Sequence, residues 1–241
     1  MNGTTRVVLI QGCGSGIGHA VTHELSGRGV TVALHDAGRP ADTAALAAEL
    51  NSTGRVIDIS DMPLDDGDIL LNLDRIATRC GRLDALVNLF TPTAATTPAE
   101  LYGYAQAMYQ RGLAAGEVIA RHTDNGVIVN QFYLASLFAD TALAAPVSMA
   151  RGALTSATRL LCVRYGKVGV RVVGLLVGLL ASPETDALLS ERVRAFTPPL
   201  PRWIEPVDVA KSVAFLVLDA GYISGQMLIM DCGMTSGING T

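Results

Sequence analysis

The chain is short of charge, of aromatic rings and of patterned cysteine. Only 17% of its 241 residues are charged and 5% aromatic, and the net charge is −4 with no Lys/Arg cluster. That excludes the basic footprint of a nucleic-acid binder. Cys13, Cys80, Cys162 and Cys232 are scattered without C-x-x-C spacing, and His19, His23, His35 and His122 share no ligand pattern with them. No metal is expected, and the cysteines read as reduced, mostly packed thiols of a cytoplasmic protein. The longest apolar run, Val172–Ala181, is about half of the ~20 residues a membrane span needs. No signal peptide, internal repeat, low-complexity tract or interdomain linker stands out, so one domain over 1–241 is expected.

What is abundant is apolar: 49% of residues, with a mean hydropathy of +0.36. A large parallel sheet buried on both faces reads this way, and so do subunit interfaces. The organising stretch is Arg6–Gly18. Val7–Ile10 is a continuous apolar run, Gly12 stops it, and Ile17, Val21 and Leu25 then recur at helical spacing. Strand, glycine turn and helix in that order aim backbone N–H groups and a helix N-terminus at one point, which suits a pyrophosphate. The glycines fall at 12, 14, 16 and 18; read as G-x-x-x-G-x-G, they do not fit the strict G-x-G-x-x-G fingerprint.

Further strands are expected at Val30–Leu34, Arg55–Ile59, Ala85–Asn88, Val127–Asn130, Val170–Leu180 and Gln226–Met230. Between them lie helical patterns at about 42–50, 66–80, 98–122 and 146–165, and a last helix opening at Glu205-Pro206. Asp36 closes the second strand about 20 residues beyond the glycines, where an acidic residue can hold a ribose hydroxyl and repel a 2′-phosphate; it is equally an ordinary turn residue. Thr97-Pro98-Ala99-Glu100 is a capping box with Pro at the first helical position. Gly103, Gly112 and Gly116 inside that helix imply close packing, across a subunit boundary or within one chain. Segment 181–205, with four prolines, reads as a mobile lid or a plain surface connection.

The glycine turn, Gly81-Arg82-Leu83-Asp84-Ala85-Leu86-Val87-Asn88 and Asp58-Ile59-Ser60-Asp61 together resemble the short-chain dehydrogenase/reductase family over nearly the whole chain. The resemblance implies a Rossmann-type α/β domain: a doubly wound parallel sheet of about seven strands with helices on both faces. It implies an NAD site at Gly12, Ser15, Gly16, Ile17, Gly18, Asp36, Asp58, Ile59 and Asn88, of which Asn88 mainly holds the sheet. It also exposes departures. The family's Asn-Asn-Ala-Gly becomes Asn88-Leu89-Phe90-Thr91, which crowds the nucleotide groove.

Proton transfer in the family needs a Ser, a Tyr and a Lys four residues after the Tyr. Those positions fall on Tyr133, Val147 and Arg151. The family's helix Asn meets Ala105 or Gln106, and its nicotinamide-side loop becomes Val173–Gly178, with only Gly178 kept and Ser182 standing for a later Thr. Valine neither gives nor takes a proton, and Arg151 keeps a charge with nothing to activate. The resemblance therefore points to a non-catalytic subunit, with weak or absent NAD binding of its own. Its partner would be an active paralogue carrying NAD, or a second copy, in a dimer or tetramer. In one such family complex, a hydroxyacyl-CoA-type dehydrogenase of benzylsuccinate (toluene) breakdown, an active subunit pairs with a degenerate one, and this chain is similar to the degenerate kind.

Two other readings stay open. One is a cofactor-independent lyase, isomerase or dehalogenase with relocated residues. Tyr133 reaching toward Arg151 would be one form of it; halohydrin dehalogenases, which use Arg but keep Ser and Tyr, offer another model. The second is a regulator that binds NAD(H) without turnover.

Overall fold

A computed structural model of the chain describes residues 5–51, 54–64, 67–90, 97–134, 142–186 and 191–236. Seven strands form one wholly parallel sheet in the order β3-β2-β1-β4-β5-β6-β7. They are β1 Val7–Gln11, β2 Thr31–His35, β3 Val56–Asp58, β4 Ala85–Asn88, β5 Gly126–Tyr133, β6 Val170–Val177 and β7 Met227–Met230. The helices are α1 Gly16–Gly27, α2 Pro40–Leu50, α3 Ile69–Cys80, α4 Pro98–His122, α5 Ala144–Tyr165, the short α6 Pro183–Asp186 and α7 Glu191–Arg194, and α8 Pro206–Leu218. This is the doubly wound α/β architecture expected.

Strand alternation explains the two-sided core. Val8 and Ile10 face one apolar cluster with Ile17, Val21 and Val213, whereas Leu9 faces another with Leu73, Ile76 and Val118. All five residues of β1 are buried, so the strand is covered on both faces. β5 runs past the expected Asn130 to Tyr133 because β6 pairs with it along its whole length, ending at Tyr133 beside Val177. α4 starts on the expected capping box: Thr97 Oγ1 accepts from Glu100 N, and Thr97 N donates to Glu100 Oε2 at 2.7 Å.

The α4 glycines divide. A Cβ on Gly112 would lie 2.5 Å from Leu161 Cδ1, and one on Gly116 2.5 Å from the Tyr165 ring, so both let α5 of the same chain approach. Gly103 meets nothing within 4 Å. Segment 181–205 starts with α6 and includes α7, and Leu180 bridges to Ile204; its residues 187–190 lie outside the described set.

At the sheet's entry edge, Asp84 is buried and takes the amide of Val7 at 2.8 Å and the Arg82 guanidinium at Nε and Nη2. It ties β4 to β1 from below, far from the strand ends where ligands of doubly wound sheets sit.

Candidate active site

The C-terminal strand ends meet where the order reverses, between β1 and β4, which is the place an open parallel sheet offers a ligand. The register aligns His35, Gln11, Asn88 and Asn130 across four strands. His35 Nδ1 meets the Gln11 amide at 2.5 Å, its Nε2 lies 3.0 Å from Met62 O, and Asn88 Nδ2 donates to Asn130 Oδ1 at 2.8 Å. β2, β1 and β4 therefore end on a polar residue of this row, and the row is tied as two pairs, His35 with Gln11 and Asn88 with Asn130. Sequence reasoning named only Asn88 of the row; the available signal was that each apolar run ends in one polar side chain.

Above this row sits the glycine turn. Gly12 has φ +84°, and a Cβ there would lie 2.4 Å from Leu89 O; Gly18 packs on the Cys13 backbone as closely. Ser15 caps α1, its Oγ accepting from Gly18 N and donating to Gly12 O, both at 3.1 Å. Ile17 is buried in the core beneath. Asp36 turns its carboxylate back on the turn: Oδ2 accepts from Gly14 N and Oδ1 from Gly38 N, both at 3.1 Å. Asp58 Oδ1 accepts from Ser60 N at 2.9 Å, while the Ile59 side chain is fully buried on the other sheet face. Gly12, Ser15, Asp36, Arg39, Phe90 and Tyr104 are among the residues lining a cleft of about 320 Å³.

Cys13 lies in the turn yet is not available chemistry. Burial pushes its thiol up to about 12, against a weaker downward pull from the Thr43 hydroxyl at 3.4 Å. A thiolate is the reacting form, so iodoacetamide at about pH 8 should leave Cys13 unmodified in the folded chain and alkylate it after denaturation, as read by mass spectrometry. Rapid native labelling would contradict the buried placement.

Phe90 points into an aromatic group. Its ring centroid is 4.4 Å from that of Tyr104, 5.0 Å from Phe132 and 6.5 Å from Tyr133, and Phe90 N donates to Gln131 Oε1 at 2.9 Å. Thr91 lies outside the described residues. Next to this group Tyr133 is 0% and Val147 1% exposed, and both belong to the apolar cluster that holds Leu134, Val177 and Leu179. Arg151 is half-buried one helical turn on from Val147. Ala105 is buried on α4, and Gln106 is exposed.

Gly178 lets the end of β7 approach: its N donates to Met230 O at 2.7 Å, and a Cβ would meet Asp231 Cα at 2.9 Å. Asp231 accepts from Gly233 N, Thr235 N and the Thr235 hydroxyl. Burial raises its pKa, but these donors more than offset that and hold the carboxyl below its ordinary value. A lowered folded value gives stability that is present above the unfolded pKa of about 3.9 and lost as pH falls through the folded one. Asp231→Asn should cost about 1–3 kcal/mol at neutral pH, with the gap to the parent narrowing below about pH 4. Melts at both pH values test this, and a pH-independent gap refutes it.

Among the described residues no group of three His, Cys, Asp or Glu can hold a metal, and no helix is long and apolar enough to cross a membrane. Sheet order, glycine turn and strand-end cleft define a doubly wound, Rossmann-type α/β fold. A family model described as enoyl-(acyl carrier protein) reductase matches residues 12–235, and the chain belongs to the short-chain dehydrogenase/reductase family.

It is similar to (2S)-[(R)-hydroxy(phenyl)methyl]succinyl-CoA dehydrogenase subunit BbsC of Thauera aromatica, 31% identical over 96% of this chain and 95% of that one. It is also similar to cis-4-hydroxycyclohexanecarboxylate dehydrogenase of Sinomonas cyclohexanicum, 29% identical over 96% and 97%. Among solved structures it shares its fold with a 3-ketoacyl-(acyl-carrier-protein) reductase of Brucella melitensis complexed with NADH, at a TM-score of 0.74 and 21% identity over 95% of this chain and 98% of that one.

Proposed function

We propose that this chain is a non-catalytic short-chain dehydrogenase subunit, a single domain over 1–241 that supports an active paralogue in a cytoplasmic, NAD-dependent hydroxyacyl-CoA-type dehydrogenase. The observation that carries the reading is Val147. An aliphatic side chain, 1% exposed, occupies the position from which the family's phenol delivers its proton, and it lies in the apolar cluster that also holds Tyr133. Tyr133 in turn replaces the Ser, and Arg151 the Lys.

The residues fit the family's dinucleotide at one end only. Glycine turn, Ser15 cap and Asp36 supply a polar cradle for adenosine and pyrophosphate. On the nicotinamide side stand Val147, Val177 and Leu179, all buried and apolar. No step of hydride chemistry is assigned to this chain, and the partner supplies NAD.

Support for a partner comes from the surface. Met149 and Val163 on α5 are 63% and 78% exposed, and a mostly apolar groove of about 400 Å³ runs between α4 and α5 beside Tyr102, Tyr109, Ala153 and Leu160. A second face is the edge of β7, unpaired among the described residues, with Ile229 half-exposed and Tyr222 open to solvent. Exposed edges and contiguous apolar patches mark interaction surfaces. The Thauera relative is itself named a subunit, which favours a hetero-oligomer and a hydroxyacyl-CoA substrate of the benzylsuccinate kind.

Co-expression with candidate active paralogues, followed by size-exclusion chromatography and NADH-forming assays, tests the reading. The expected result is a stable mixed oligomer, active only with the paralogue present. Dehydrogenase turnover by this chain alone overturns it.

A further inference from the structure

We propose that the outer face of α4 and α5 docks a different chain, one that brings carboxylates of its own, and turns away a second copy of this one. This names the partner chemistry of the non-catalytic subunit reading and rests on it.

The groove between the two helices is lined by uncharged side chains, among them Tyr102, Gln106 and Tyr109 from α4 and Ala153, Ser156 and Leu160 from α5. On α5, Gly152, Ser156, Arg159 and Val163 follow one another at 4-3-4 spacing and are all exposed, so they share one outward stripe. The opposite side of the helix carries Val147, Leu154 and Leu161 into the core. An outward stripe of a helix facing water is ordinarily polar and charged; here Arg159 is its one charge.

Two glycines on these helices have no use within the chain. Glycine weakens a helix interior relative to alanine, and Gly112 and Gly116 repay that by letting α5 approach α4. A Cβ on Gly103 or Gly152 meets nothing within 4 Å among the described residues. Close approach by the backbone of another chain is what such a position permits.

Charge decides which chain. α5 carries Arg151, Arg159 and Arg164 and no acid, with Lys167 just beyond its end, in a protein whose net charge is −4. α4 holds two acids, and both are committed. Glu100 closes the capping box on Thr97, and Glu117 meets Arg164 at 3.3 Å. Among the described residues Arg151 and Arg159 have no carboxylate partner. A two-fold contact sets the same patch against itself, so a second copy would bring basic α5 to basic α5 with no uncommitted acid from either helix. Like charges placed together suppress a wrong partner, and a guanidinium covered by an interface needs a counter-charge. A chain with an apolar helix face flanked by Asp or Glu satisfies both the groove and the arginines.

A charge-reversed copy supplies the missing carboxylates and serves as the probe. Fluorescently labelled parent chain is titrated at low salt with unlabelled parent and with the double variant Arg151→Glu/Arg159→Glu, and binding is read by thermophoresis. The parent should bind the double variant at least about tenfold more tightly than it binds itself. The gap should close at high salt, where exposed charges are screened. Contacts through β7 are common to both titrations and cancel in the ratio. A ratio near one, or tighter binding of parent to parent, overturns the proposal. Leu160→Glu, at a residue 61% exposed, should abolish the gap when placed in the labelled chain. A gap that persists in that variant, folded by circular dichroism, puts the contact elsewhere and overturns the proposal too. In a mixed complex with an active paralogue, Arg159→Glu should weaken association at least about tenfold and Arg159→Lys less than about threefold. A complex indifferent to Arg159→Glu sinks this proposal and leaves the non-catalytic reading standing. Turnover by the isolated chain sinks that reading instead.

Discussion

Given NAD and a hydroxyacyl-CoA, the purified chain should form NADH at least about 10⁴-fold more slowly than an active family paralogue. Placed general acids and bases supply about 10²–10⁴ of an enzyme's rate, some 3–5 kcal/mol of barrier. On the proposed reading the whole relay is replaced, with Tyr133, Val147 and Arg151 in the places of Ser, Tyr and Lys. Groups that act as a unit are lost as a unit, so restoring one member returns little. Val147→Tyr alone should therefore gain less than about tenfold, because Tyr133 still fills the place of the Ser and is itself buried. A steady-state assay that follows NADH formation checks both statements, and a rate within tenfold of the paralogue's would end the non-catalytic reading.

Phe132→Ala should be among the most damaging single changes, at about 3–5 kcal/mol. The ring is fully buried on β5 and is stacked on Phe90 and Tyr104. Its loss forfeits transfer free energy and leaves a cavity that strand backbone on either side cannot close. At about 2–4 °C per kcal/mol for a domain of this size, the melting temperature falls by roughly 6–20 °C. Phe90→Ala should cost less, since that ring is only half-buried. Ile229→Ala on the open edge of β7 should stay within about 0.5 kcal/mol in the monomer. Thermal melts followed by circular dichroism rank the three, and a Phe132→Ala cost below about 1 kcal/mol would mean the aromatic group is not packed as described.

Much of the scaffold was legible because its signals are local. Val7–Ile10 followed by Gly12 reads as a buried strand and a turn, and Thr97-Pro98-Ala99-Glu100 as a helix start, within a few residues each. The site was legible only as a set of positions. Asp36 was expected to face a ribose; that it also holds Gly14 N depends on a turn 22 residues away. Ile59 was expected at the nucleotide site; that its side chain joins the buried cluster of Leu9 and Leu73 is visible only in the packed sheet. The polar row from His35 to Asn130 stayed unread because its members meet only once four strands are in register.

The order of strands and helices, and the absence of a proton-transferring side chain at position 147, follow from the residues themselves, since both depend on identity and near-neighbour spacing. Tertiary structure alone decided that Gly112 and Gly116 serve the packing of α4 on α5, and that Phe90 joins Tyr104, Phe132 and Tyr133. Those contacts join residues far apart in the chain, and their geometry is set by how the elements pack, which no local pattern encodes.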